Sequence, residues 1–146
     1  MAEVTKEFRM AVPAEKLADT VLDFENYPEF VDEVVGARTV SRSGEKLAVE
    51  FDLNVIKRFR YVLGFDVETQ KSGARRIGWR LLESDLFKEN RGEWLIEPDG
   101  AGAVKVRYTV EVAAKVPLPG WVLRKLTETN LPKMMESFES ASRERS

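Results

Sequence analysis

The chain has 146 residues, and 23 basic against 25 acidic side chains leave it a net charge of −2. That length suits one domain with its own core, and so balanced a charge leaves no electrostatic footprint for DNA. The sequence contains no cysteine and no histidine, which excludes disulfides, thiolate metal sites and cysteine nucleophiles and removes the usual base near neutral pH.

The N-terminal Met1 to Lys6 is polar and mixed in charge, unlike a signal peptide. No apolar run reaches transmembrane length, so a soluble, cytoplasmic protein is expected. Val4 to Val12 alternates as a strand, with Val4, Phe8, Met10 and Val12 on one side and Lys6 as the exception. Pro13 ends it and opens a helix, because the first turn needs no amide donor there. Leu17, Ala18, Val21, Leu22 and Phe24 give that helix an apolar face, ending at Phe24 to Asn26. A second short helix is expected from Pro28, carrying Phe30, Val31 and Val34.

Strand patterns follow. Ala37 to Ser41 is short, and Ser43-Gly44-Glu45 is a turn signal. Leu47, Val49, Phe51, Leu53 and Val55 then alternate with polar residues, and a reversal is expected at Lys57-Arg58. Phe59, Tyr61, Leu63, Phe65 and Val67 form the next apolar row, and Ile77, Trp79 and Leu81 another after Ser72-Gly73. Phe87 to Pro98 carries Trp94 and Ile96 inward, with Gly92 marking an expected bulge. Asp99-Gly100-Ala101-Gly102 is a hairpin turn. Val104, Val106, Tyr108, Val110 and Val112 form the last row. Short connections imply an antiparallel meander, and one charged face implies a sheet covered on one side only.

From Pro119 to about Arg143 the period changes to that of a long amphipathic helix. At 100° per residue Leu123, Leu126, Thr127, Asn130, Met134, Phe138 and Ala141 share a face, flanked by Leu131 and Ser137. Pro132 lies inside this pattern, so a kink or break is expected near Glu128 to Pro132, with Pro132 itself toward solvent. The order of elements is that of an α+β fold of layered helices and sheet.

One helix cannot fill the concave side of a strongly curled sheet along its whole width. The remaining space is either solid with bulky side chains or open to a ligand. The inward residues include Phe51, Tyr61, Phe65, Trp79, Trp94 and Tyr108, and the polar tips of Tyr and Trp need partners when buried. Aromatic walls with a few polar groups are the usual lining of a small-molecule pocket.

Tyr27-Pro28-Glu29-Phe30-Val31, Phe59-Arg60-Tyr61 and Gly92-Glu93-Trp94-Leu95-Ile96 before a glycine-rich turn, together with the long terminal helix, resemble one known family. It is the polyketide cyclase/coenzyme Q10-binding branch of the START-like (SRPBCC) superfamily, and the resemblance spans Val4 to Phe138. It implies a START/Bet v 1-like helix-grip fold, a curved antiparallel sheet of about seven strands around the terminal helix, with a hydrophobic tunnel between them. The expected ligand-lining residues are Phe51, Leu53, Tyr61, Leu63, Phe65, Trp79, Leu81, Trp94, Tyr108, Leu126, Asn130, Met134 and Phe138. The ligand expected is a small hydrophobic molecule (quinone, isoprenoid, lipid or polyketide) without a cofactor. Relatives of this kind also include ring-closing enzymes and a ribosome-associated factor, so transient membrane or ribosome contact is a further expectation. In an enzyme Tyr61, Tyr108 and Asn130 could serve, but nothing in the sequence selects catalysis and no residue is assigned a catalytic role. The segment Tyr27 to Val35 and the bend at Pro132 are the expected gate.

Other groups carry blander readings. Lys57, Arg58, Arg60, Arg75, Arg76 and Arg80 read as a solvated outer face balanced by Glu50, Asp52, Asp66 and Glu68. Glu83, Asp85, Glu89, Glu93 and Glu97 lack a histidine companion, so no metal site is expected. Ser84-Asp85 reads as turn chemistry rather than a nucleophile.

Overall fold

The computed structural model describes residues 2–44, 46–55 and 57–145. Seven strands form one antiparallel sheet: β1 (Ala2–Met10), β2 (Val34–Ser43), β3 (Lys46–Val55), β4 (Lys57–Thr69), β5 (Arg75–Ser84), β6 (Phe87–Pro98) and β7 (Val104–Ala114). Their spatial order is β1-β7-β6-β5-β4-β3-β2, a meander whose first strand folds back beside the last. Between β1 and β2 lie α1 (Ala14–Leu22), a 3-10 turn (Phe24–Asn26) and α2 (Tyr27–Phe30). This is the helix-grip arrangement.

Period-two alternation sets which side of each strand is buried. Val49, Phe51, Leu53 and Val55 of β3, Phe59, Leu63 and Phe65 of β4, Trp94 and Ile96 of β6, and Val104, Val106, Val110 and Val112 of β7 are all buried. The corresponding outward residues are mostly charged. Pro13 caps α1 in an extended conformation, and Leu17, Ala18 and Val21 are buried beneath it.

Several boundaries differ from expectation. Strand β2 is twice the expected length, because bulges between Val34 and Gly36 and between Thr39 and Ser41 interrupt its alternation without ending its pairing. Val55 pairs with Lys57, so Lys57 and Arg58 belong to β4 and the reversal comes earlier; Ile56 lies outside the described residues. Glu45, at the expected turn after Gly44, lies outside them too. Strand β1 ends at Met10, although Val12 is still buried. The irregularity of β6 falls between Phe87 and Glu89, not at Gly92.

The C-terminal helix is built in three pieces: α3 (Gly120–Arg124), a π-helical segment (Lys125–Thr129) and α4 (Leu131–Glu144). Pro132 has no amide hydrogen and crowds the carbonyl four residues before it, so the regular ladder cannot pass Glu128. The chain widens into a π turn, breaks at Asn130 and restarts with Pro132 in the first turn of α4, where a missing donor costs nothing. Pro132 is exposed, as expected. A π turn takes up an extra residue, so the buried face moves on by about one position. Leu131, Met135, Phe138 and Ser142 are buried, while Asn130, Met134 and Ala141 are only half-buried. Backbone and charge contacts hold α4 in place: Ala11 N–H donates to Glu139 Oε2 at 2.9 Å, Arg145 meets Asp23 at 3.2 Å and Lys133 meets Asp32 at 2.7 Å.

Candidate functional site: an aromatic hollow under the broken helix

The curled sheet and the terminal helix do not close on one another completely. Between them lies a hollow of about 160 Å³. Its floor comes from β3, β4, β5, β6 and β7, its roof from the π segment and the start of α4, and one wall from α2 and the loop that follows. Twelve of the thirteen residues expected to line it do so: Phe51, Leu53, Tyr61, Leu63, Phe65, Trp79, Trp94, Tyr108, Leu126, Asn130, Met134 and Phe138. The exception is Leu81. It packs half-buried against the core outside the hollow, where β5 approaches its bulge opposite Val62 and Leu63.

Aromatic edges and faces fix the walls. Phe138 of α4 meets Trp94 at 4.9 Å and Tyr27 at 5.3 Å between ring centroids, both edge-on. Tyr61 is held by Phe51 at 5.8 Å and Phe87 at 6.1 Å. Gly92 permits the remaining contact. A Cβ there would lie 2.5 Å from the Trp79 ring and 2.1 Å from the carbonyl oxygen of Thr109. With that slot empty, Trp79 from β5 reaches over β6 and meets Tyr108 from β7 at 5.5 Å. Close approach, not a bulge, is the role of this glycine.

The polar groups of the lining are few. Tyr27 donates its hydroxyl to the carbonyl of Val21, and the Trp79 indole donates to Asn90 Oδ1 at 3.0 Å. Thr127 Oγ1 donates to the Leu123 carbonyl at 2.8 Å. The hydroxyls of Tyr61 and Tyr108 have no hydrogen-bond partner among the described residues. Burial pushes all three tyrosines well above the usual phenol range; neighbouring phenols add to this for Tyr27 and Tyr108, and the Glu33 carboxylate for Tyr61. They are therefore neutral phenols at any physiological pH, able to donate a hydrogen bond but not to act as phenolate bases. Glu33 and the exposed Lys125 bring charge to the rim.

Sequence reasoning left several lining residues out of the expected set. Asn90 is the most consequential, and it shares the parity of Trp94 and Ile96 on β6, a signal that was available. Val55, Phe59, Val110 and Val112 sit on the inward rows of their strands and line the hollow as well. Tyr27 comes from α2, Val31 and Glu33 from the loop after it and Val34 from the first position of β2. The helix expected to carry Val31 and Val34 from Pro28 ends at Phe30, so its apolar spacing does not mark the inner side. Both parts of the expected gate, the segment Tyr27 to Val35 and the helix break before Pro132, border the hollow.

Four of the five carboxylates considered as metal ligands are engaged elsewhere. Glu83 meets Arg60, Glu89 meets Arg91 and Glu93 meets Arg76. Asp85 accepts from the Arg60 amide and Ser84 Oγ from the Leu86 and Phe87 amides, so both serve the turn. Among the described residues no group of acidic side chains is placed to hold a metal ion, and no helix is long and apolar enough to cross a membrane.

A family model described as polyketide cyclase / dehydrase and lipid transport matches residues 10–139. The chain belongs to this family. Among solved structures, this family member is similar to a START superfamily protein from Mycobacterium smegmatis, with 22% identity, 97% of each chain covered and a TM-score of 0.81. It is similar to the Zhui aromatase/cyclase from Streptomyces sp. R1128 at 12% identity, over 99% of this chain and 94% of that one, with a TM-score of 0.81. Human STARD10 gives a TM-score of 0.83 at 17% identity, over 97% of this chain and 63% of its own. These likenesses establish a shared fold. No curated protein matches in sequence.

Proposed function

We propose that this polyketide cyclase/lipid-transport family member binds a small hydrophobic molecule in the hollow between sheet and terminal helix, and acts as its carrier. The observation that carries this reading is the hollow itself: an unfilled volume of about 160 Å³ walled by aromatic and aliphatic side chains at the centre of the fold. Close packing is the rule in protein interiors, so a void of this size is unusual unless something occupies it. Engineered apolar cavities near 150 Å³ stay dry and admit a single benzene ring. The ligand portion accommodated is thus one ring or a short chain, such as a quinone head or the end of an isoprenoid, polyketide or acyl chain. A longer molecule would have to emerge past the rim. Burying about six carbons gains roughly 5 kcal/mol before the costs of association, so a fragment-sized probe would bind no tighter than about 0.2 mM.

Val110→Phe tests the assignment. Val110 is buried in the floor of the hollow, and a phenyl ring there would occupy the space a ligand needs. Binding of toluene, followed by ligand-observed NMR, is expected to be lost while the variant stays folded. Unchanged binding would place the ligand elsewhere.

Ring closure is the second reading, favoured by one observation. Glu33 is a carboxylate on the lining, close enough to Tyr61 to raise its pKa, so a proton acceptor and a neutral donor share one end of the hollow. An enzyme of this kind would lose turnover of a poly-β-ketone substrate in Glu33→Gln while retaining its binding. A carrier would show no turnover in either form.

A further inference from the structure

At one end of the hollow the electrostatic features share a sign. Glu33 lines the hollow half-buried, from the loop between α2 and β2. The Asn54 amide donates to the Glu33 main-chain carbonyl at 2.8 Å, so this loop is tied to β3. Its neighbour Asp32 pairs with Lys133 at 2.7 Å, whereas the Glu33 carboxylate has no ion-pair partner among the described residues. Lys133, committed to Asp32, reaches Glu33 only through its field. Lys125, the other cation of the rim, is exposed and makes no ion pair among the described residues.

Tyr61 lies within the field of Glu33, which opposes ionisation of its buried hydroxyl. That hydroxyl has no hydrogen-bond partner among the described residues, and its oxygen has lone pairs to offer. The Tyr61 ring packs against Phe51 at 5.8 Å and Phe59 at 6.1 Å, and all three rings line the hollow. The face of an aromatic ring is the negative part of its quadrupole. Carboxylate, phenol oxygen and ring faces thus all attract a cation, and the floor contains no positive side chain to answer them. A half-buried charge without a partner is costly, so a counter-charge brought by a ligand gains more here than at an exposed carboxylate.

Resting on the reading of the hollow as a ligand site, we propose that its ligand is a small arylalkylamine, with the ring inside the hollow and the ammonium at the rim, paired with Glu33 against the faces of Tyr61 and Phe59. Size and charge divide the selection. A hollow of about 160 Å³ takes one ring. An ammonium on a short tether keeps part of its hydration while it meets a half-buried carboxylate. The pairing favours an amine over neutral and anionic molecules of the same shape.

Phenethylamine, phenethyl alcohol and hydrocinnamate test this, because one ring and one short chain carry in turn a positive, a neutral and a negative end. An ammonium is harder to dehydrate than a hydroxyl, so amine and alcohol are each compared between wild type and variant by ligand-observed NMR. Glu33→Gln keeps the shape and removes the charge. It is expected to weaken phenethylamine by about three- to tenfold and phenethyl alcohol by less than about twofold. Added salt should weaken the amine and leave the alcohol unchanged in wild type. Should Glu33→Gln fail to fold, that salt dependence and the wild-type order of the two ionic probes, amine ahead of hydrocinnamate, decide. Equal changes for amine and alcohol, or tighter wild-type binding of hydrocinnamate, would overturn the assignment. A lipid headgroup can present the same ammonium. Dihexanoyl phosphatidylethanolamine at equal concentration is expected not to displace phenethylamine, and displacement would reassign the charge to a lipid and overturn the small amine. Wild-type binding of phenethyl alcohol without the amine would leave the hollow standing as an apolar site and remove the charge selection. If no probe binds, the hollow is no ligand site and this assignment falls with it.

Discussion

The concave and convex faces of the sheet are made by the same strands, residue by alternate residue, and they obey different physics. On the convex face arginines pair with carboxylates in rows: Arg60 with Glu50 at 2.8 Å and Glu83 at 3.2 Å, Arg76 with Glu93 at 3.1 Å and Asp66 at 3.2 Å, Arg91 with Glu111 at 2.6 Å. Hydrogen bonds from Arg60 and Arg38 hold the Glu50 carboxyl below the usual carboxylate range. Water screens the exposed pairs, which can be exchanged at little consequence; Glu111, buried beside Arg91, is the exception. On the concave face charge is absent from the floor, the polar atoms there are neutral, and every ring of the lining touches another. Substitution there leaves either a void or an unpaired donor. A sheet covered on one side thus keeps its charged pairs and its aromatic hollow on opposite sides of a single layer.

The largest expected break in that contrast is Trp94→Ala. Trp94 is buried against Phe138 and Tyr108, and its loss should reduce unfolding free energy by about 3–5 kcal/mol in urea titrations.

A pH titration sharpens the contrast next. The three tyrosines have folded pKa values raised above the unfolded value of about 10. Below that value both states are protonated and the stability is fully present. As pH rises beyond it, the unfolded chain ionises first, and stability falls by about 1.4 kcal/mol per pH unit for each tyrosine until its folded pKa is reached. Tyr108→Phe should remove one third of that alkaline slope.

The smallest effect belongs to the convex face. Arg38 is 69% exposed beside Glu50, and Arg38→Ala should leave the unfolding midpoint where it was.

The same contrast explains what the sequence made legible. Where one face is oily and the other charged, period two identifies both, and β3, β4, β6 and β7 were readable with nearly all their inward residues. Legibility failed where the period is interrupted. Two bulges hid the length of β2, and the π turn before Pro132 moved the buried face from Met134 to Met135. A proline announced the break, but not the residue by which the helix would slip. Tyr27 reaches the hollow from a helix of four residues and Glu33 from the loop after it, and their position depends on tertiary packing rather than on any local pattern. Gly92 was visible as an anomaly, yet its reason, room for Trp79 to cross to Tyr108, lies in two strands distant in sequence.

The most direct measurement is NMR contact between methyl groups of the protein and a bound single-ring probe. With selectively labelled methyls, toluene should show intermolecular NOEs to Met134, Leu126, Leu63 and Val110, which face the hollow from helix and sheet alike. NOEs confined to surface methyls such as those of Val40 or Leu82, with none from the hollow at saturating probe, would contradict the account.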